Sequence, residues 1–286
     1  PSCPRWSTAC CKTVPLPSLR WLQFLWRRWS LWSLLIALVI GVLVTLVWLA
    51  GRYEASQVQT KVERDTVEAA SDVRAALARN IQTFQALHTR DLHDGSWAAE
   101  ADAVLRERRE LVRLEARGAR LELQAQAETP YHGPVFGQVP RESAQGDIVL
   151  ACAAARRLHG PAYSTTYFVP QPDGMGLELM DLCLPLLADG RVTGYIVATY
   201  ALQNMLVNLL GRQLTRSQEA SFIETDGTRL ASLGTSRRGA RVFSAQQMLD
   251  LPGNALILRI DSWREAPDTL PNVLTALVTG MSIALV

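Results

Sequence analysis

The sequence predicts a membrane-anchored α+β protein: a long N-terminal helix, then two antiparallel sheets, with a transmembrane helix at either end. Three observations carry that prediction. The run Leu31–Ala50, LWSLLIALVIGVLVTLVWLA, holds no charge, and at about 1.5 Å per residue it spans roughly the 30 Å of a bilayer's hydrocarbon core. From Arg52 to His88 apolar residues recur at steps of mostly three, four and seven, with no Pro or Gly between them. That is the period of one continuous helix. Beyond residue 110 alternating runs separated by turn dipeptides become frequent, as strands and hairpins require.

Residues 1–30 are basic and read as a disordered cytoplasmic segment. Arg5, Lys12, Arg20, Arg27 and Arg28 precede the first apolar run, and no acid does. Cationic flanks stay inside, so residues 52–269 are expected outside. Residues 31–51 form the first transmembrane helix. A secretory signal core is shorter, about 7–15 residues, and Trp48-Leu49-Ala50-Gly51 matches its cleavage site poorly, so the run reads as an uncleaved anchor. Residues 270–286 form the second transmembrane helix, still apolar at Val286, and an output module is expected after it.

Between the spans, residues 52–214 combine the long helix with a first sheet unit. A helix at Ser96–Glu110 starts on Ser96 as its N-cap. Val112, Leu114 and Ala116 alternate with charged residues, and alternation resumes after Gly118, which predicts a hairpin. Ser143–His159 is helical and ends at Gly160-Pro161. Ala162–Val169, Gly176–Leu187 and Val192–Tyr200 are strands, the last two joined at Asp189-Gly190, where Asp-Gly accepts positive φ. Leu202–Leu214 is a helix leaving the sheet. Residues 215–266 form a smaller unit: a hairpin at Asp226-Gly227, a short helix at Ser244–Leu251, and a strand at Ala255–Trp263. So small a unit needs support from the first one or from the long helix. The long helix itself covers its own domain or pairs with a second copy, and the pattern leaves both open.

These stretches carry a resemblance. GPAYSTTYF at 160–168, LELMDLCLPLLADGRVTGYIVATYAL at 177–202 and SFIETDGTRLASLG at 221–234 look like the cores of tandem PAS-like, or Cache-like, sheets. With their flanking spans they resemble the extracytoplasmic sensor region of bacterial sensor histidine kinases, most closely the C4-dicarboxylate sensors of the double Cache type. The resemblance implies an inner-membrane homodimer with residues 52–269 periplasmic. A small organic acid would bind the membrane-distal unit, and the signal would pass through the second span to a histidine kinase and its cognate response regulator. The same ectodomain type would equally serve a chemoreceptor or a diguanylate cyclase. A different class is a non-catalytic, membrane-tethered interaction protein.

A carboxylate ligand needs charge-assisted donors. Lys61 is the only lysine after the first span, so arginine must supply the cation. Arg113 and Arg117 on the first strand are the candidates, though an amphipathic strand also puts such residues in solvent. Tyr163, Thr165 and Tyr167 share one face of an ideal strand and Ser164, Thr166 and Phe168 the other. The first set suits a polar pocket. Cys152 and Cys183 are expected outside, where a disulfide is allowed, but a helix and a strand position suggest two separate buried thiols.

No cofactor or metal is expected. His88 and His93 stand beside Asp91 and Asp94, yet a spacing of five puts the imidazoles on different helix faces. Gly174-Met175-Gly176 lies in a turn with no helix after it, unlike a phosphate loop. The segment itself is expected to be catalytically silent, the kinase chemistry lying beyond Val286. Dispersed arginines and few lysines argue against nucleic acid.

Overall fold

The structure, a computed structural model, describes residues 19–87, 96–171, 174, 176–234, 241–264, 276, 279 and 280. The chain divides into two compact units, Pro1–Glu54 with Thr269–Val286, and Ala55–Asp268. Helix α1, Leu19–Leu87, runs through both. It is the one helix among the described residues long and apolar enough to cross a membrane, and its apolar window is unburied. The expected second span lies outside the described residues except for Ala276, Thr279 and Gly280. The histidine–aspartate cluster at 88–94 and residues 1–18 also lie outside them.

Within Ala55–Asp268 two antiparallel sheets follow α1 and α2 (Ser96–Glu107). The larger has the order β2-β1-β6-β5-β3, with β4 also paired to β5. Its strands are β1 (Leu111–Gly118), β2 (Leu123–Glu128), β3 (Ala162–Tyr163), β4 (Tyr167–Pro170), β5 (Gly176–Ala188) and β6 (Arg191–Ala201). A 3-10 turn at Arg141–Ala144 leads into α3, Gln145–Leu158. The β5–β6 turn has positive φ at both Asp189 and Gly190, the geometry a two-residue hairpin demands. The smaller sheet runs β8-β7-β10-β9: β7 (Gln218–Ile223), β8 (Arg229–Gly234), β9 (Arg241–Leu251) and β10 (Asn254–Arg264).

Two sequence expectations fail here for local reasons. Ser244–Leu251 is not a helix: it belongs to β9, paired with β10 from Arg241–Arg264 to Leu251–Asn254. Ala245, Leu249 and Leu251 are buried while Ser244, Gln246, Met248 and Asp250 are exposed, so tertiary pairing overrides the helix propensity of Gln-Gln-Met-Leu. The helix at 202–214 is shorter: α4 (Leu202–Met205) passes into a π-helical turn, Leu206–Leu210.

One face of the larger sheet, with Leu114, Leu182, Leu184, Ile196, Ala198 and Tyr200, joins α1 residues Val73, Leu77 and Phe84 in a single core. Phe222, Leu249, Leu256 and Leu258 of the smaller sheet belong to the same core, so the smaller unit does lean on its neighbours. The link continues through the backbone: Tyr163 N–H donates to Pro252 O at 2.6 Å, and Asn254 Nδ2 to Ser164 O at 2.8 Å. Gly253 makes this possible. Its φ is +93°, and a Cβ there would lie 2.6 Å from Tyr163 O.

Candidate ligand site

The opposite face of the larger sheet is part apolar and part charged, and the charged part is buried as well. β1 is buried along its whole length: Leu111, Leu114 and Ala116 join the core with α1 and α2, and the 129–144 segment covers the other side, with Val135 in the same cluster as Val112 and Arg141 on Glu115. Ile148, Ala151, Cys152 and Ala155 of α3 pack on Cys183, Tyr195 and Val197. Small residues on α3 bring the helix close, with 5.2 Å between the Cα atoms of Cys152 and Cys183. The two cysteines therefore form a disulfide, contrary to the expectation of separate thiols. Helix and strand positions do not preclude a bridge once the helix lies flat on the strand.

Beside this staple stands a set of paired charges. Glu115, with no exposed surface, is held by three guanidinium groups. Arg113 Nε and Arg141 Nε donate to its Oε1 at 2.6 and 3.0 Å, and Arg117 Nε donates to its Oε2 at 2.7 Å. Burial alone would raise the Glu115 carboxyl pKa, but Arg141, Arg117 and Arg113 outweigh it and hold the group below its ordinary value. Arg141 also reaches across the sheet. Its Nη2 donates to Asp181 Oδ1 at 2.9 Å and Thr199 Oγ1 at 3.3 Å, and its Nη1 to the Tyr167 hydroxyl at 2.7 Å. Asp181, also fully buried, accepts from Thr199 Oγ1 at 2.7 Å and from the Tyr167 hydroxyl at 2.9 Å. Burial would lower the Arg141 pKa, but Asp181, Tyr167 and Glu115 raise it. Burial, then Asp181, pushes the Tyr167 phenol well above its usual range.

Arg113 donates further to Glu128 and Gln126 of β2. Arg117 bonds Leu121 O at 2.9 Å and Gln145 Oε1 at 3.4 Å. Phe136 from the covering segment stacks under Arg141, 4.6 Å from guanidinium to ring centre, and under Arg113 at 5.5 Å. Three guanidinium groups meet the three carboxylates Glu115, Glu128 and Asp181, so the set is electrically neutral.

The structure brings together only part of the predicted site. Arg113, Arg117 and Tyr167 belong to it, and the two arginines are buried rather than solvated. Tyr163 is instead packed in the α1-facing core, where burial raises its phenol pKa. Thr165 is exposed and donates to Asp147 Oδ1 at 3.0 Å. The expected alternation fails because the strand is interrupted. Pairing with β5 stays in register through Ser164, whose N–H donates to Asp181 O at 2.8 Å, and resumes at Tyr167 one residue out of step, Tyr163 facing Leu182 but Tyr167 facing Leu179.

Glu115, Asp181, Thr199 and Arg141 were not singled out by sequence reasoning. The first three lie on regular strands: Thr199 and Asp181 stand in register with Arg113, and Glu115 lies two residues along its strand. Arg141 follows Pro140 at the end of a loop and carried no signal at all.

No protein-family model matches the chain, nor does any curated protein. Among solved structures, the ligand-binding domain of PctB, an amino acid chemoreceptor of Pseudomonas aeruginosa PAO1 in complex with L-Arg, is similar with a TM-score of 0.50 at 12% identity. That match covers 73% of this chain and 96% of the domain. The same domain in complex with L-Gln gives 0.49 at 12%, covering 79% and 98%. The domain of the Pseudomonas fluorescens chemoreceptor CtaA with L-isoleucine gives 0.49 at 10%, covering 74% and 95%. The fold is that of Cache-type ligand-binding domains.

Proposed function

We propose that Ala55–Asp268 is the extracytoplasmic sensor region of a membrane receptor, and that its ligand is a small zwitterion of the amino acid class. The neutrality of the buried charge set carries this reading. A dicarboxylate would bring two uncompensated negative charges into a site where every carboxylate is already matched, and burying unpaired charge is costly. A zwitterion inserted between Arg141 and Asp181 keeps the balance. Its carboxylate replaces Asp181 on the Arg141 guanidinium and the Tyr167 hydroxyl, and its ammonium replaces Arg141 on Asp181 and Thr199. PctB, whose domain shares the fold, was solved with L-Arg, an amino acid that carries the same α-carboxylate and α-ammonium pair.

Signalling follows if the ligand binds one arrangement of the domain better than another, since only differential affinity shifts an equilibrium. For the output, a chemoreceptor fits as well as the histidine kinase and response regulator implied by the sequence resemblance. The anchoring helix and the disulfide support a bacterial periplasmic setting.

Calorimetry on the full chain in lipid nanodiscs, titrated with amino acids and with succinate, fumarate and malate, tests the reading. An amino acid is expected to bind, and Thr199→Val and Asp181→Asn to weaken it. Dicarboxylate binding with silent amino acids would overturn the ligand class. Silence from both panels would leave the charge set as a structural clamp.

A further inference from the structure

A second site lies away from the paired charges, between α1, the segment after the π-helical turn and the smaller sheet. A cleft of about 370 Å³ opens there, within the roughly 300–1,000 Å³ of small-molecule pockets. Its floor is apolar, made by Ala69, Leu210, Leu214 and Ile260. Its rim carries opposite charges from one face of α1: Lys61 at one end, Glu68 at the other and Asp65 between them. Lys61 and Glu68 are seven residues, about 10 Å of helix rise, apart, too far to satisfy one another. Both are exposed, and neither has a partner among the described residues.

Asp65 is held in place rather than used up. Gln218, itself buried, donates from Nε2 to Asp65 Oδ2 at 3.3 Å. The orientation of Gln218 is fixed in turn, because its Oε1 accepts from Thr215 N–H and Thr215 Oγ1, both at 3.0 Å. Two turns along α1, Gln213 Nε2 donates to Asp72 Oδ2 at 2.6 Å, which straps the same segment to α1.

We infer that this cleft binds an extended zwitterion whose carboxylate and ammonium sit at opposite ends of an aliphatic body. The carboxylate meets Lys61, the ammonium meets Glu68 and Asp65, and the methylenes cover Leu210, Leu214 and Ile260. An α-amino acid carries both charges on one carbon and bridges the two ends less well. A ligand here would tie α1 to the chain segment joining the two sheets, independently of the sheet-face site.

The probe is 6-aminohexanoate, with hexanoate and hexylammonium as single-charge controls, titrated by calorimetry into the full chain in nanodiscs. Lys61→Gln and Glu68→Gln change exposed side chains, so melting curves should stay at the wild-type position. Each should weaken 6-aminohexanoate by about tenfold, the scale of one charge-assisted contact. Both controls should bind at least about tenfold more weakly than the zwitterion. Tyr167→Phe, which alters only the sheet-face site, should change nothing. The inference is overturned if the zwitterion does not bind, if either control binds as tightly, or if Lys61→Gln and Glu68→Gln leave its affinity unchanged.

Discussion

Replacing Glu115 by Gln tests whether the paired charges hold the covering segment to the sheet. The substitution keeps the side-chain volume and removes one charge from a residue with no exposed surface, contacted by Arg113, Arg117 and Arg141 at 2.6–3.0 Å. The amide can still accept from one guanidinium, but its nitrogen is then turned toward another. Buried cations lose their counter-charge, and the set passes from neutral to a net +1. Breaking a buried pair in this way costs about 3–5 kcal/mol, a large part of the roughly 5–15 kcal/mol that holds a domain folded. For a unit of this size the melting temperature should fall by roughly 6–20 °C.

Circular dichroism melts of the full chain in nanodiscs at neutral pH measure it. A double-mutant cycle with Arg117→Met supplies the internal check. The double variant should be more stable than the sum of the single losses predicts, by about 1–3 kcal/mol, because the two residues share a contact. A Glu115→Gln melt within roughly 3 °C of wild type, or strict additivity in the cycle, would refute the argument.

Three further outcomes follow from the structure. The Glu115 carboxyl has a folded pKa below its unfolded value of about 4.3, so its stabilisation is complete above that pH and is lost as pH falls through the folded pKa. Denaturant titrations carried into the acid range should therefore show a shallower acid loss in Glu115→Gln than in wild type. Removing the Cys152–Cys183 bridge with paired alanines reopens a loop spanning a separation of 31 residues and should cost about 3–4 kcal/mol, read from urea midpoints under oxidising conditions. Gly253→Ala puts a Cβ at positive φ and 2.6 Å from Tyr163 O. It should destabilise the protein by about 1–3 kcal/mol, whereas the same change at Gly146, where nothing lies within 4 Å, should not.

Much of the architecture was legible in the sequence because it rests on local rules. Asp189-Gly190 and Asp226-Gly227 marked hairpins through backbone freedom alone, and the α1 stripe marked its buried face. What escaped depended on how many sides of an element are covered. β1 alternates Leu and Ala with Arg and Glu, a pattern that ordinarily means one wet face. Here the second face is roofed by the 129–144 segment, whose Arg141 lies 26 residues from Glu115, and no local period records a roof. Tyr163 was grouped with Tyr167 because alternation assumes an unbroken strand, whereas pairing with β5 slips by one residue between Tyr163↔Leu182 and Tyr167↔Leu179. β9 was hidden by residues that favour helix and was decided by its 11-residue register with β10.

The burial of Arg113, Arg117 and Arg141 also changes how the molecule meets a protease. Trypsin must draw a free basic side chain into its own pocket, and these three are withheld by ion pairs. Cleavage after Arg141 in the native protein thus becomes a clock for opening of the sheet-face site, slowed by any ligand that closes it. The products are easy to read. No Lys or Arg lies between Leu158 and Gly190, so Ser164, Tyr167 and Asp181 leave on one peptide ending at Arg191. The disulfide ties that peptide to the one carrying Cys152, and the pair travels as a single mass until reductant is added.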